Sequence, residues 1–292
     1  MILPNLVLVI RANCCWTESG IDTLSRCRDK KRFLEYPDPV EYCYNSRGFR
    51  DVEWPEDLQS AIWCVGDSFT AGIGSAYENI WPQKLSAITG RRTVNVAMDG
   101  ASNNWIAQRV KEIAKHINPE NIVVMWSSVE RREKSADESR NKFFQKFYND
   151  VKDPSWPNCP TADKFNTLPL AIRQELAKDH TIGLHLRISK DLESIEIINL
   201  DELRIVQLIA EQNEHMSNFE SCVELLKDVK SNLICSFIPG FAEEQYQADY
   251  VKACRYGHML PIIKKLDLAR DGHHFDKITS QWVAEQIVPL LK

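Results

Sequence analysis

The sequence predicts a parallel α/β fold of three layers, a central sheet with helices on either side. Two observations predict it. Three short apolar runs, Ala61–Val65, Thr93–Ala97 and Ile122–Trp126, are each closed by a small-residue turn. Helix-patterned sequence follows them, which is the alternation of parallel α/β proteins. A fourth run, Leu233–Ile238, comes after about a hundred mostly polar residues and is closed by Pro239-Gly240, a turn signal.

The elements follow in chain order. Met1 to Ile10 is apolar, but Arg11 comes after the run instead of before it, the reverse of a secretory signal peptide, so a buried first strand or a truncated start is expected. Residues 1–57 read as an irregular N-terminal extension, with Tyr44 to Arg50 forming a turn before the first core strand. The run Ala61–Val65 leads into Gly66-Asp67-Ser68. Thr93–Ala97 leads into Asp99-Gly100-Ala101-Ser102 and then an amphipathic stretch from Asn104 to His116, with Ile106, Val110, Ile113 and Ile117 on one face. Ile122–Trp126 leads into Ser127-Ser128. Asp276 to Leu291 reads as a closing helix. The interval from about 133 to 230 is too long for a simple connector and reads as a helical insertion, either a lid or a peripheral subdomain. The whole is expected to be one domain, 1–292.

Composition excludes several classes. With 43% hydrophobic and 26% charged residues the chain has the make-up of an ordinary globular protein. A formal charge of −5 with no dense basic block argues against nucleic acid as a partner, and no apolar run approaches the ~18 residues of a membrane span. Nine cysteines include no C-x-x-C pair, so zinc-ribbon and thioredoxin sites are not expected. A reducing cytoplasm is the expected compartment, although the crowding of Cys14, Cys15, Cys27 and Cys43 leaves a disulfide open. Trp63, Trp81, Trp105 and Trp126 are expected in the core.

The turns after successive strands should share one rim of the sheet, where ligands of open α/β sheets bind. On that rim Ser68 stands between a strand and a helix, a position that exposes a hydroxyl and offers backbone N–H groups to an anion. An N-capping serine is the plainer explanation of the tripeptide alone. Asp271-Gly272-His273-His274, about twenty residues before the last residue, spaces a carboxylate and an imidazole three apart, which places them on one side of a helical turn.

In combination these segments resemble the SGNH (GDSL-like) hydrolases, whose blocks are a G-D-S turn, a glycine after the next strand, and D-x-x-H near the C-terminus. Gly100 supplies the second block, and Asn45-Ser46-Arg47-Gly48-Phe49-Arg50 is similar to a stretch that often precedes the G-D-S strand. The resemblance covers roughly 45–130 and 233–292. It implies a flavodoxin-like sandwich and a serine esterase with Ser68 as nucleophile, His274 as general base and Asp271 orienting it, while His273 takes an outer role. It implies an oxyanion hole from the N–H groups of Ser68 and Gly100. The family's third-block asparagine is missing, since Trp126-Ser127-Ser128-Val129 stands there. Ser127 or Ser128 is expected as a replacement donor, with Asn103 and Asn104 as further candidates for substrate contact. Arg131 could hold an anionic substrate group, or form salt bridges with Glu130 or Glu133. No metal or organic cofactor is expected. The implied substrate is a small-molecule or carbohydrate ester, an O-acetyl group first. An acyltransferase with the same triad and a degenerate binding module are the alternatives.

Overall fold

The computed structural model describes residues 12–129, 131–133, 186–188, 195–197, 205–207, 212–242 and 247–292. Met1 to Ile10, and most of the long insertion, lie outside the described residues.

The N-terminal segment is more ordered than its composition suggested. Strands β1 (Cys15–Trp16) and β2 (Tyr42–Cys43) pair antiparallel with Cys15 opposite Cys43, and a disulfide joins that pair. Between them lies helix α1 (Lys30–Glu35), started by the Asp29 carboxylate, which accepts from the Arg32 N–H at 2.9 Å.

The core then unfolds in order: β3 (Ile62–Gly66), α2 (Ser68–Ala71), α3 (Trp81–Thr89), β4 (Thr93–Ala97), α4 (Asn103–His116) and β5 (Asn121–Trp126). Four three-residue strands follow, β6 (Arg131–Glu133), β7 (Leu186–Ile188), β8 (Ile195–Ile197) and β9 (Ile205–Gln207). The chain closes with α5 (Gln212–Glu224), β10 (Asn232–Phe237), α6 (Gln247–Ala253), β11 (His258–Met259) and α7 (Lys277–Ile287).

Five strands form one wholly parallel sheet in the order β11-β10-β5-β3-β4. Every residue of β3, β4, β5 and β10 is buried, as required when helices cover both faces. Right-handed crossovers place α3 on one face, and the reversal of direction between β4 and β5 puts α4 on the other. The helix contacts agree, since α3 packs with α7 while α4, α5 and α6 pack in succession. This is the flavodoxin-like, doubly wound order.

The α4 face expected from periodicity is buried at Ile106, Val110 and Ile113, each contributing ~1.5–3 kcal/mol by its burial. Ser102 caps the helix, its hydroxyl accepting from the Trp105 N–H at 3.1 Å. Phe219 from α5 packs edge-on against Trp126 and Tyr250 and joins Phe237 and Phe241.

Two differences from the sequence expectation concern β-structure. Strand β11 has only two residues, too few for periodicity to register. In the interval read as helical, the described residues hold β6 paired with β9 and β7 with β8, both antiparallel, and helix α5 from Gln212; the rest of that reading lies outside the described residues. Strands this short take their stability from the partner they pair with, as β6 does from β9 more than seventy positions on, and local helix bias does not reveal it.

The order in which strands are added reverses at the neighbouring, parallel strands β3 and β5, the first and third of this sheet in chain order. Their carboxyl ends, Gly66 and Trp126, open on the crevice at that switch point.

Candidate active site

The turn after β3 is built by its own residues. A Cβ on Gly66 would lie 2.2 Å from the Thr70 hydroxyl and 3.1 Å from the Met125 carbonyl, so only glycine lets the strand turn so closely past β5. Asp67 caps α2, its Oδ1 accepting from the Phe69 N–H at 3.0 Å. Ser68 is thereby the first helical residue. Behind the turn the fully buried Arg50 guanidinium donates to the carbonyls of Ala71 (3.1 Å), Gly72 (2.5 Å), Ser75 (2.8 Å) and Glu41 (2.8 Å). The segment Asn45–Arg50 thus braces the peptide that carries the serine.

Asp271 and His274 reach Ser68 from the loop before α7. His274 Nε2 lies 2.7 Å from Ser68 Oγ, and His274 Nδ1 lies 2.5 Å from Asp271 Oδ2. All three side chains are buried, with Ser68 2% and His274 3% exposed. The D-x-x-H segment is a turn, one of the two backbones, helical or turn-like, that its spacing allows. The second oxygen of Asp271 accepts the backbone N–H groups of His273 (2.8 Å) and His274 (3.0 Å), folding the four residues around one carboxylate. Two oxygens therefore have two separate tasks.

The charges reinforce this arrangement. Burial pushes the Asp271 carboxyl upward, but the His274 charge and the hydrogen bonds from its ring and from the turn outweigh it, and the net shift is downward. Burial likewise depresses His274, yet Asp271, with help from Asp99 and Asp67, raises it above the ordinary imidazole value. His273 behaves oppositely: burial and the neighbouring His274, Lys265 and Arg28 charges lower it to about 3. Its ring stands against Phe69 at 5.6 Å, and its Nδ1 is buried without a hydrogen bond. Lys265 donates to the His273 carbonyl at 2.6 Å and sits over the Phe69 ring.

The rim next to the serine differs from the expectation. Ser127 Oγ donates to Asp67 Oδ2 at 2.6 Å, and Arg131 Nη1 contacts the same oxygen at 3.2 Å. The Ser127 hydroxyl is thus committed to the carboxylate beside Ser68 and is not a free replacement for the family's asparagine. Arg131 pairs with the buried Asp67; the Glu130 and Glu133 side chains, which the sequence also offered as partners, lie outside the described residues. Asn103 is also committed: its Oδ1 accepts from the Ser127 N–H at 2.8 Å, and its Nδ2 donates to the Ser127 and Ser128 carbonyls at 3.0 and 3.4 Å. A buried carboxylate needs such partners, and the single hydroxyl proton of Ser127, given to Asp67, is not free for substrate. Gly100 stands in the β4–α4 turn with φ 72°, and that turn is drawn against the G-D-S turn by the Met98 N–H, which donates to the Gly66 carbonyl at 3.1 Å. Among the described residues, the N–H groups of Ser68 and Gly100 and the side-chain donors of Ser128 and Asn104 have no hydrogen-bond acceptor.

Sequence reasoning did not find Asp22, Tyr42 or Arg270, which surround the Asp271 loop; nothing in their local sequence marks them. Among the described residues no cluster of three metal-ligating side chains occurs, and no helix is long and apolar enough to cross a membrane.

Comparison with protein-family models and with curated proteins finds no match. Solved structures that match include a candidate lipolytic protein of the G-D-S-L family from Desulfitobacterium hafniense, at 12% identity over 80% of this chain and 99% of that one, with a TM-score of 0.39. A candidate acylhydrolase from Bacteroides fragilis matches at 12% identity over 93% of this chain and 97% of that one, with a TM-score of 0.36. The chain is similar to both, at a level that leaves its own sheet order and its own side chains to carry the case for what it does.

Proposed function

We propose that this protein is a serine hydrolase of the SGNH type that cleaves a carboxylic ester through an acyl-Ser68 intermediate. The observation that carries this is the unbroken line Asp271 Oδ2, His274 Nδ1, His274 Nε2, Ser68 Oγ at the sheet's switch point, with steps of 2.5 and 2.7 Å. In this reading Asp271 fixes the tautomer that leaves Nε2 free to accept a proton. His274 takes the Ser68 proton as Oγ bonds to the ester carbon. The oxyanion so formed is held by the N–H groups of Ser68 and Gly100. Collapse expels the alcohol, which takes its proton from His274 Nε2, and water repeats the sequence in reverse to free the acid.

The absent third-block asparagine does not remove the machinery. Asp67, Ser127 and Arg131 form a satisfied network in its place, and Ser128 or Asn104 is the candidate third donor. An O-acetyl group on a carbohydrate is the substrate to test first, then short acyl esters. Labelling with a fluorophosphonate tests the class without knowledge of the substrate. Covalent modification of Ser68, abolished by Ser68→Ala, is expected. An unlabelled wild-type protein, or labelling that survives Ser68→Ala, overturns the proposal. Product analysis in the presence of an acceptor alcohol separates hydrolysis from acyl transfer.

A further inference from the structure

Asp22 is fully buried and 248 positions away from Arg270, yet their side chains form a two-point ion pair. Arg270 Nε lies 3.0 and 3.1 Å from the two Asp22 oxygens, and Nη2 lies 2.5 Å from Oδ2. Nη2 also donates to the Thr17 carbonyl at 2.6 Å, and the guanidinium lies over the Phe33 ring at 4.5 Å. The Tyr42 hydroxyl donates to Asp22 at 2.6 Å and accepts from the Gly74 N–H at 2.7 Å. The Gly74 carbonyl in turn accepts from the Arg270 N–H at 2.9 Å. These bonds close a ring, Asp22 to Arg270 to Gly74 to Tyr42 and back to Asp22.

The ring abuts Asp271. A Cβ on Gly74 would stand 3.0 Å from the Asp271 carboxyl carbon, and Asp271 follows Arg270 in the chain. From the same N-terminal segment, the Arg28 N–H donates to the Asp271 carbonyl at 2.8 Å and Arg32 donates to the carbonyls of Ala269 and Leu268. The Cys15–Cys43 disulfide joins β1, which Thr17 follows, to β2, which carries Tyr42. A buried, bidentate pair adds little net stability, because desolvation of both ions offsets their attraction, but it fixes direction closely.

We propose that Asp22, through Arg270, is a positioning residue for the Asp271–His274 pair, so that the N-terminal segment sets the geometry of proton transfer at Ser68. The kinetic part of this proposal rests on the hydrolase reading above. A displacement of about 1 Å at a reacting group costs ~100-fold in rate, so a modest release of Asp271 is measurable.

The test compares Asp22→Asn, Arg270→Gln and Arg270→Lys with the wild type on a model acetate ester, and follows the His274 imidazole by NMR titration, assigned with His274→Ala. Asp271, Asp99 and Asp67 face that ring as acids and His273 as a neutral neighbour, so the first of these is the one the variants disturb. Asp22→Asn and Arg270→Gln are expected to lower kcat by about tenfold to a hundredfold with KM within about twofold. The His274 midpoint should move down toward the free imidazole value. Arg270→Lys, which keeps the charge and loses the fork, should fall between. Tyr42→Phe opens the same ring without removing a charge and stands in should Asp22→Asn fail to fold; its changes should have the same sign and smaller size. Folded variants that keep both kcat and the His274 midpoint while only Tm falls would show a structural pair and overturn the proposal. If the wild type hydrolyses no ester and takes no fluorophosphonate, the hydrolase reading fails separately, and an unmoved His274 midpoint in the variants would still sink the positioning role.

Discussion

His274 Nε2 lies 2.7 Å from Ser68 Oγ although 206 positions separate the two residues in the chain. The contact exists because β3 and the loop before α7 meet at one rim of the sheet, and it gives each residue at that rim a distinct expected phenotype.

Removing the base should be far more severe than removing its neighbour. His274→Ala is expected to lower kcat by about a thousandfold or more, and Asp271→Asn to come close to it by favouring the wrong tautomer. His273→Ala should cost much less, since its ring faces Phe69 and its main link to the triad is a backbone N–H. Steady-state kinetics on a model acetate ester, with circular dichroism to confirm folding, decides it. A dead His273→Ala beside an active His274→Ala would reverse the assignment.

The pH profile has a definite sign. His274 must be neutral to accept the Ser68 proton, and Asp271 holds it protonated to a higher pH than a free imidazole. The value of kcat/KM should therefore rise with pH through a midpoint above ~6.5. Asp271→Asn should move that midpoint down. A profile flat from pH 5 to 8 counts against a histidine base.

His273 should make the fold sensitive to acid. Its folded value of about 3 lies below that of an unfolded imidazole, so from pH ~6.5 down to about 3 the unfolded chain binds a proton that the folded protein refuses. Stability falls with pH across that window. His273→Asn should shrink the loss of Tm between pH 7.5 and 4.5, and thermal melts showing an unchanged loss would contradict the buried, neutral ring.

The rim residues separate structure from chemistry. Ser127→Ala removes one of the bonds to the buried Asp67 carboxylate and should cost ~1.5–3 kcal/mol in chemical denaturation; Arg131→Met leaves that charge less compensated and should cost ~3–5 kcal/mol. Of Ser128→Ala and Asn104→Ala, one is expected to lower kcat about tenfold to a hundredfold without loss of stability, and the other to be nearly silent. Full activity in both would leave the oxyanion to the two backbone N–H groups.

The disulfide offers a separate handle on the N-terminal segment. Its ends are 28 positions apart, so the chain-entropy account assigns it ~3–4 kcal/mol. A Cys15→Ser/Cys43→Ser protein should unfold at correspondingly lower denaturant, and a reductant should lower the wild-type Tm but not that of the double variant. Equal midpoints would mean that the bridge does not constrain the unfolded chain.

By itself the sequence determined what short-range chemistry can encode. Apolar runs ended by small residues located β3, β4, β5 and β10 to within a residue, because a strand covered on both faces is mostly apolar along its length. A 3.6-residue stripe located α4, and the G-D-S and D-x-x-H segments pointed to the serine, the histidine and the acid. Only the tertiary structure decided the rest, since these features depend on partners far apart in the chain. Asp271 and His274 proved to be joined in a carboxylate-centred turn, and Ser127 and Asn103 to be committed to buried groups. The Asp22–Arg270 pair has no local signature, because a buried ion pair is made by two segments that meet only when the chain has folded, and desolvation selects the partner that happens to be within reach.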